Sequence, residues 1–208
     1  MCSYRKLFLT LIIALVVPSA MQAGTPMKKS EFHDAMRILW MDHVEWTRLF
    51  IISDVARLQD TEAVTNRLLK NQSDIGNAVK PFYGDAAGEQ LTSLLKEHIT
   101  IAAELVEAAR MKHTAKQKAA SERWFANADQ IAAFLSEANP GNWRVDEMKA
   151  MMKEHLELTL AEVSARLKAD WMEDIATYEK VRGQALEMAD MLSEGIMRQF
   201  PEKFKGPS

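Results

Sequence analysis

Apolar side chains recur at three- and four-residue steps along most of this chain, the signature of amphipathic helices. Phe32, Met36, Leu39, Trp40, His43, Thr47, Phe50, Ile51, Val55 and Leu58 draw one stripe, with Ser30 expected as its N-cap. A second helix begins near Asp60 and Thr61 and carries Val64, Leu68, Ile75 and Val79. It is expected to stop at Pro81, before a turn at Tyr83, Gly84 and Asp85. Leu91, Leu94, Leu95, His98, Ala102, Leu105 and Ala109 mark a third helix. Thr114 with Gln117 reads as a capping box opening a fourth, which is striped by Trp124, Phe125, Ala128, Ile131, Ala132 and Leu135 and broken at Asn139-Pro140-Gly141. The fifth shows Met148, Met151, Met152, His155, Thr159 and Val163. Asp170 with Glu173 reads as another capping box, and the sixth helix runs through Ile175, Val181, Ala185, Met188 and Leu192 to Pro201. Neither Gly nor Pro separates the last two, so one long kinked helix is the alternative there. No segment has the period of a strand. The expected fold is all-α: an up-and-down helical bundle of about six helices.

An internal repeat organises these helices. Asp42-His43-Val44, Glu97-His98-Ile99 and Glu154-His155-Leu156 each set an acid, a histidine and an aliphatic residue in sequence, and a small residue follows four positions after each histidine: Thr47, Ala102 and Thr159. On the returning helices Arg67, Asn71 and Ile75 match Arg123, Asn127 and Ile131, while Ala128-Asp129 resembles Ala189-Asp190 if one extra helical turn follows His155. The reading is three αα-hairpins of roughly 55 residues each. His43 and His98 then lie about twelve residues into their helices and His155 about ten, depths that differ by about 3 Å at 1.5 Å rise per residue. All three sit on apolar stripes and should face inward.

The N-terminus changes the picture of where the bundle works. Arg5 and Lys6 precede an apolar run from Leu7 to Val17, and Ala23 ends a small-residue stretch, the order of a secretory signal peptide. The expected division is a signal peptide over 1–23, one helical domain over 24–204 and a short tail over 205–208, with the protein in the periplasm or secreted. Cleavage removes Cys2, the one cysteine, so the mature chain is expected to form no internal disulfide. It also removes two positive charges, shifting the formal charge from −3 to −5. Such a balance does not provide the basic stripe that nucleic acid demands.

Four stretches carry a resemblance: Ile75 to Gly84, Leu91 to Ile99 with its Leu-Leu-Lys-Glu-His-Ile ending, Asn127 to Pro140, and Gln199 to Phe204. They resemble a family of exported bacterial helical proteins for which no activity is established. The resemblance implies an exported helical fold and supplies no site residues. No Gly-rich phosphate loop or nucleotide motif accompanies it.

The candidate chemistry centres on the histidines. Three inward imidazoles at one height would suit zinc, copper or iron, with Asp74, Asp129 and Asp190 on the returning helices as candidate ligands or supporting carboxylates. The competing expectation is that each histidine only packs, hydrogen-bonded to a neighbour. Met148, Met151 and Met152 beside His155 would suit Cu(I), or serve as adaptable core filler. A haem held by Met and His has no Cys-x-x-Cys-His behind it, and no Glu-x-x-His supports a di-iron centre. Neither Gly-x-Ser-x-Gly nor His-Glu-x-x-His occurs, which argues against a hydrolase. Trp46 and Trp143 lie off the stripes and are the candidates for contact with a protein or peptide partner. The sequence therefore points to a non-enzymatic exported binding protein with histidine-held metal as the sharpest hypothesis, and a protein-interaction module as the alternative.

Overall fold

The computed structural model of the chain describes residues 26–205. The expected signal peptide and the last residues of the tail lie outside that range. Six helices account for nearly all of it: α1 Lys29–Ala56, α2 Thr61–Tyr83, α3 Asp85–Arg110, α4 Thr114–Ala138, α5 Val145–Leu167 and α6 Trp171–Gln199. Each packs on the next, and α6 returns to α1, so the bundle closes into a ring. The first helix also touches α3 and α5, which brings the three odd-numbered helices together inside.

The three hairpin turns share one device. Arg57, Lys112 and Ala169 each adopt a left-handed conformation, with φ of 54°, 55° and 59°, just past the ends of α1, α3 and α5. A left-handed residue after the last turn redirects the chain sharply, a role that glycine fills more cheaply. The use of Arg, Lys and Ala is why these turns left little mark on the sequence pattern. The residues around Lys168 break the chain between α5 and α6, so these are two helices. The alternative of one long kinked helix is set aside.

Several boundaries differ from expectation. Ser30 lies inside α1, which starts at Lys29 with no side-chain cap, directly after a two-residue strand β1 Met27–Lys28. That strand pairs in parallel with β2 Phe204–Lys205, which ties the two ends of the described chain together. These short strands are absent from the pattern because backbone pairing over two residues leaves no periodicity. Pro81 does not stop α2. Its missing N–H forfeits one bond near the helix end, and Phe82 and Tyr83 carry the helix on by packing against the core. Thr114 is the first helical residue of α4 and makes no capping bond, whereas Asp170 does cap α6, accepting from the Glu173 N–H at 3.2 Å. Leu58 and Ile175, expected on buried stripes, are exposed because they fall in a turn and in the first turns of α6.

A small apolar cluster of Val44, Val181 and Ala185 and two larger ones fill the interior. Of the larger two, one gathers Phe32, Met36, Trp40, Trp124, Trp143 and Phe204 with their neighbours, and the other gathers Phe50, Ile51, Leu68, Ile99, Val106 and Val163. Along α1, His43 falls between Trp40 of the first and Phe50 of the second. A charged group joins α1 to α5 and α6 beside them. Arg48 donates to Glu162 at 2.7 Å and to both oxygens of Asp174 at 3.0 and 3.1 Å, and Arg166 also reaches Asp174. Both acids are 1% exposed. Among the described residues no helix is long and apolar enough to cross a membrane.

Candidate functional site

Each hairpin delivers one imidazole to a shared cavity. His43 on α1, His98 on α3 and His155 on α5 are buried and all line a space of about 230 Å³. Its walls include Phe50, Leu105, Val106, Trp124 and Val163, and it reaches the surface beside the exposed Gln117 and Lys168. The small residues one turn beyond the histidines, Thr47, Ala102 and Thr159, line it as well. Their size is what leaves the space open. The two threonine hydroxyls are already spent, donating to the carbonyls of His43 and His155 at 2.7 and 2.8 Å.

The histidines are held by amide side chains from the returning helices, at one fixed separation of 29 residues. Gln72 meets His43, Asn127 meets His98 and Gln184 meets His155. The left-handed turn residues also keep step: Arg57, Lys112 and Ala169 each stand fourteen positions after their histidine. The amide nitrogens of Asn127 and Gln184 donate to the carbonyls of Leu94 and Met151, one turn before His98 and His155. Their oxygens therefore face the imidazoles, at 2.8 Å for His98 Nδ1 and 3.1 Å for His155 Nδ1. An amide oxygen only accepts, so both Nδ1 atoms carry the proton and both Nε2 atoms keep a free lone pair. In the first hairpin the two jobs are divided. Asn71 donates to the Leu39 carbonyl, while Gln72 Nε2 donates to Leu68 and Asn71 at 2.8 and 3.1 Å and lies 3.3 Å from His43 Nδ1. Two hydrogens serve three acceptors there, so His43 is held more loosely than the other two.

Burial keeps the rings neutral. It pushes His43 well below the ordinary histidine range, reinforced by the charge that His155 and His98 would carry and opposed by the Gln72 contact. Burial, then His155, brings His98 down to about 3 against its bond to Asn127. His155 is lowered by burial against its bond to Gln184. Among the described residues five buried side-chain polar atoms lack a partner, in Trp40, Arg67, Gln72, Trp124 and Asn139; of these residues only Trp124 lines the cavity, its ring 5.1 Å from the His98 ring between centroids.

The remaining expected residues lie elsewhere. Asp74 pairs with Lys70 at 2.9 Å, the exposed Asp129 with Lys149 at 3.4 Å, and Asp190 with Arg37 and His33 at 2.8 and 3.0 Å. None of the three lines the cavity, which corrects their expected place beside the histidines. The error for Asp190 is one of register: Gln184 stands 29 residues after His155 with no extra turn, so the position equivalent to Asp129 is Leu186. Met148, Met151 and Met152 pack with the larger apolar cluster and do not line the cavity. Trp143 is 1% exposed, buried against Gly195 rather than offered to a partner. Trp46 is half-buried under the Arg67 guanidinium, 5.0 Å from its ring centre. Among the described residues no group of three or more His, Cys, Asp or Glu side chains is arranged to hold a metal ion. Sequence reasoning missed Gln72 and Gln184, although the common 29-residue offset would have found them. It also missed the Arg48 group, whose members are far apart in the chain. No family model, curated protein or solved structure matches the chain.

Proposed function

We propose that this is an exported binding protein whose ligand is a small molecule held in the histidine-lined cavity. The observation that carries the reading is the cavity itself, apolar on its walls and floored by imidazoles kept neutral and, for His98 and His155, oriented by amides. Apolar pockets with a few placed polar groups are the usual form of small-molecule sites. Export rests on Arg5, Lys6 and the Leu7–Val17 run. The three hairpins read as copies of one unit, on the shared offsets of histidine, turn residue and amide. Such an arrangement puts equivalent side chains at one level of the bundle.

A transition metal is the second reading. It is favoured by the Nδ1 bonds to Asn127 and Gln184, since metal-ligating histidines are commonly oriented through their other ring nitrogen. It requires the Nε2 atoms to converge on one point; the His43 and His155 ring centres lie 5.8 Å apart, a separation that two imidazoles on one ion can have at bonds near ~2 Å. Native mass spectrometry of untagged protein, with metal analysis, separates the readings. The small-molecule reading expects a stoichiometric organic adduct that Ala102→Phe abolishes by filling the cavity without unfolding the chain. One metal ion per chain, lost on chelation and absent in His98→Ala, would favour the second. Protein that carries no adduct and binds no added apolar probe would leave the histidines as packing alone.

A further inference from the structure

We infer that the end of the bundle where the cavity opens docks on the surface of an anionic phospholipid bilayer. Six helices that each pack on the next alternate in direction, which puts the α1–α2, α3–α4 and α5–α6 turns at one end. The bond from Arg110 to Asp54, at 3.1 Å, ties the first two of these turns together, and Lys168 in the third lines the cavity.

Apolar side chains are left outside at this end. Leu58, Met111, Trp171, Met172 and Ile175 are five of the nine large apolar side chains exposed among the described residues, and all lie in or next to the three turns. Met172 is 79% exposed and Trp171 52%, side by side at the start of α6. A single exposed apolar residue is ordinary, but a concentration of them in all three turns marks a contact surface.

Charge identifies what that surface meets. Each turn carries one exposed cation: Arg57, Lys112 and Lys168. Arg110 and Arg166 beside them are paired with Asp54 and Asp174, whereas among the described residues no acid lies within ion-pair distance of those three. The acids of the turns, Asp60 and Asp170, precede α2 and α6, where the positive helix end offsets their charge, and Asp170 accepts from the Glu173 N–H. One turn further from the tip, Glu62, Glu107 and Glu173 outnumber Lys116, so the positive charge is confined to the turns themselves. The chain as a whole is acidic. Cations that meet lipid phosphates while Trp and Met sink to the acyl boundary are the chemistry of interfacial binding. Docking stands on these turn residues whatever the cavity holds. With an apolar ligand in the cavity, it also lets that ligand pass to and from the bilayer without crossing water.

Vesicle flotation tests this with the mature protein recovered after export. Vesicles of phosphatidylcholine with phosphatidylglycerol should carry the protein, vesicles of phosphatidylcholine alone should carry little of it, and added salt should release it. A cation near an anionic surface contributes about fivefold in affinity. The triple variant Arg57→Gln, Lys112→Gln, Lys168→Gln should therefore bind on the order of a hundredfold more weakly. A second triple, Lys96→Gln, Lys180→Gln, Lys205→Gln, removes the same charge from exposed positions on the flanks and at the far end, and should bind like the unaltered protein. Met172→Ser should weaken binding severalfold through lost apolar area. All these positions are exposed, so the thermal midpoints should not move and a loss of binding cannot be read as unfolding. Equal weakening by the two triples would reduce the binding to net charge and overturn the docking face. Equal binding to both kinds of vesicle, or to neither, would overturn it as well. A dimer that Met172→Glu dissociates, in protein that no vesicle carries, would make this end an interface between two copies instead.

Discussion

Asn127 does two things with one amide: its nitrogen fastens onto the Leu94 carbonyl and its oxygen fixes the tautomer of His98. Removing it leaves the buried His98 Nδ1–H without an acceptor, while the Leu94 carbonyl keeps only its helical bond. Asn127→Ala should therefore cost on the order of 1–3 kcal/mol, read as a lower denaturant midpoint. An unchanged midpoint would mean that water reaches His98. The pH dependence follows from the same burial. In the unfolded chain a histidine titrates near pH ~6.5, whereas folded His98 holds no proton until about 3. Between those values the unfolded state binds more protons, so stability falls as pH drops below about 6.5. Glu162 has the opposite sign. Burial raises its carboxyl from 4.5 to about 7 in spite of Arg48, so the folded state holds the extra proton in that window and its contribution declines as pH rises through it. Three histidines against one glutamate make the net trend a loss on acidification. His98→Phe should flatten the slope of midpoint against pH between 7.5 and 5, and an unaltered slope would assign the acid sensitivity to other groups.

At the scale of helix pairs, α2 and α3 approach closely at two facing glycines. A Cβ built on Gly76 would lie 2.6 Å from the Gly88 carbonyl oxygen, and one on Gly88 would lie 2.6 Å from that of Gly76. Backbone cannot yield as a flexible side chain can, so Gly76→Ala should force the helices apart and destabilise by about 1–3 kcal/mol despite its better helix propensity. Gly141, with open space around it, is the control. If both alanine variants show the same midpoint, the close approach does not hold in solution. Gly195, toward the same end of the bundle, makes room in a similar way, since its missing side chain is where Trp143 sits.

For the molecule as a whole, closing the ring requires α1 to hold α5 and α6, and Arg48 is the polar part of that closure. Its guanidinium serves Glu162 and Asp174 while stacking on Tyr178, 4.5 Å from the ring centre. Arg48→Met would keep the stem, strand Glu162 and leave Asp174 to Arg166 alone, a loss that costs on the order of 3–5 kcal/mol when one partner of a buried ion pair is removed. Thermal unfolding of Arg48→Met and of the double variant Arg48→Met, Glu162→Gln would check this. The second change should recover part of the loss, and the absence of any recovery would show that the two side chains are not coupled.

The sequence by itself determined the six helices, their inward stripes, the level of the three histidines and the small residues beyond them. These are matters of helical period, and a period of 3.6 residues is written directly into the order of side chains. The turn residues Arg57, Lys112 and Ala169 were harder to see, because their left-handed backbone is imposed by the packing of the helices on either side rather than by a glycine. Tertiary structure alone decided which polar groups meet. It sent Asp74, Asp129 and Asp190 to surface cations, buried Trp143 against Gly195, and assembled Arg48 with Glu162 and Asp174 across more than a hundred residues of chain. It also left the buried Trp124 N–H without an acceptor and opened a cavity among the three histidines. An unpaired donor and a cavity are both properties of what is missing around a side chain, and only the packed molecule contains that information.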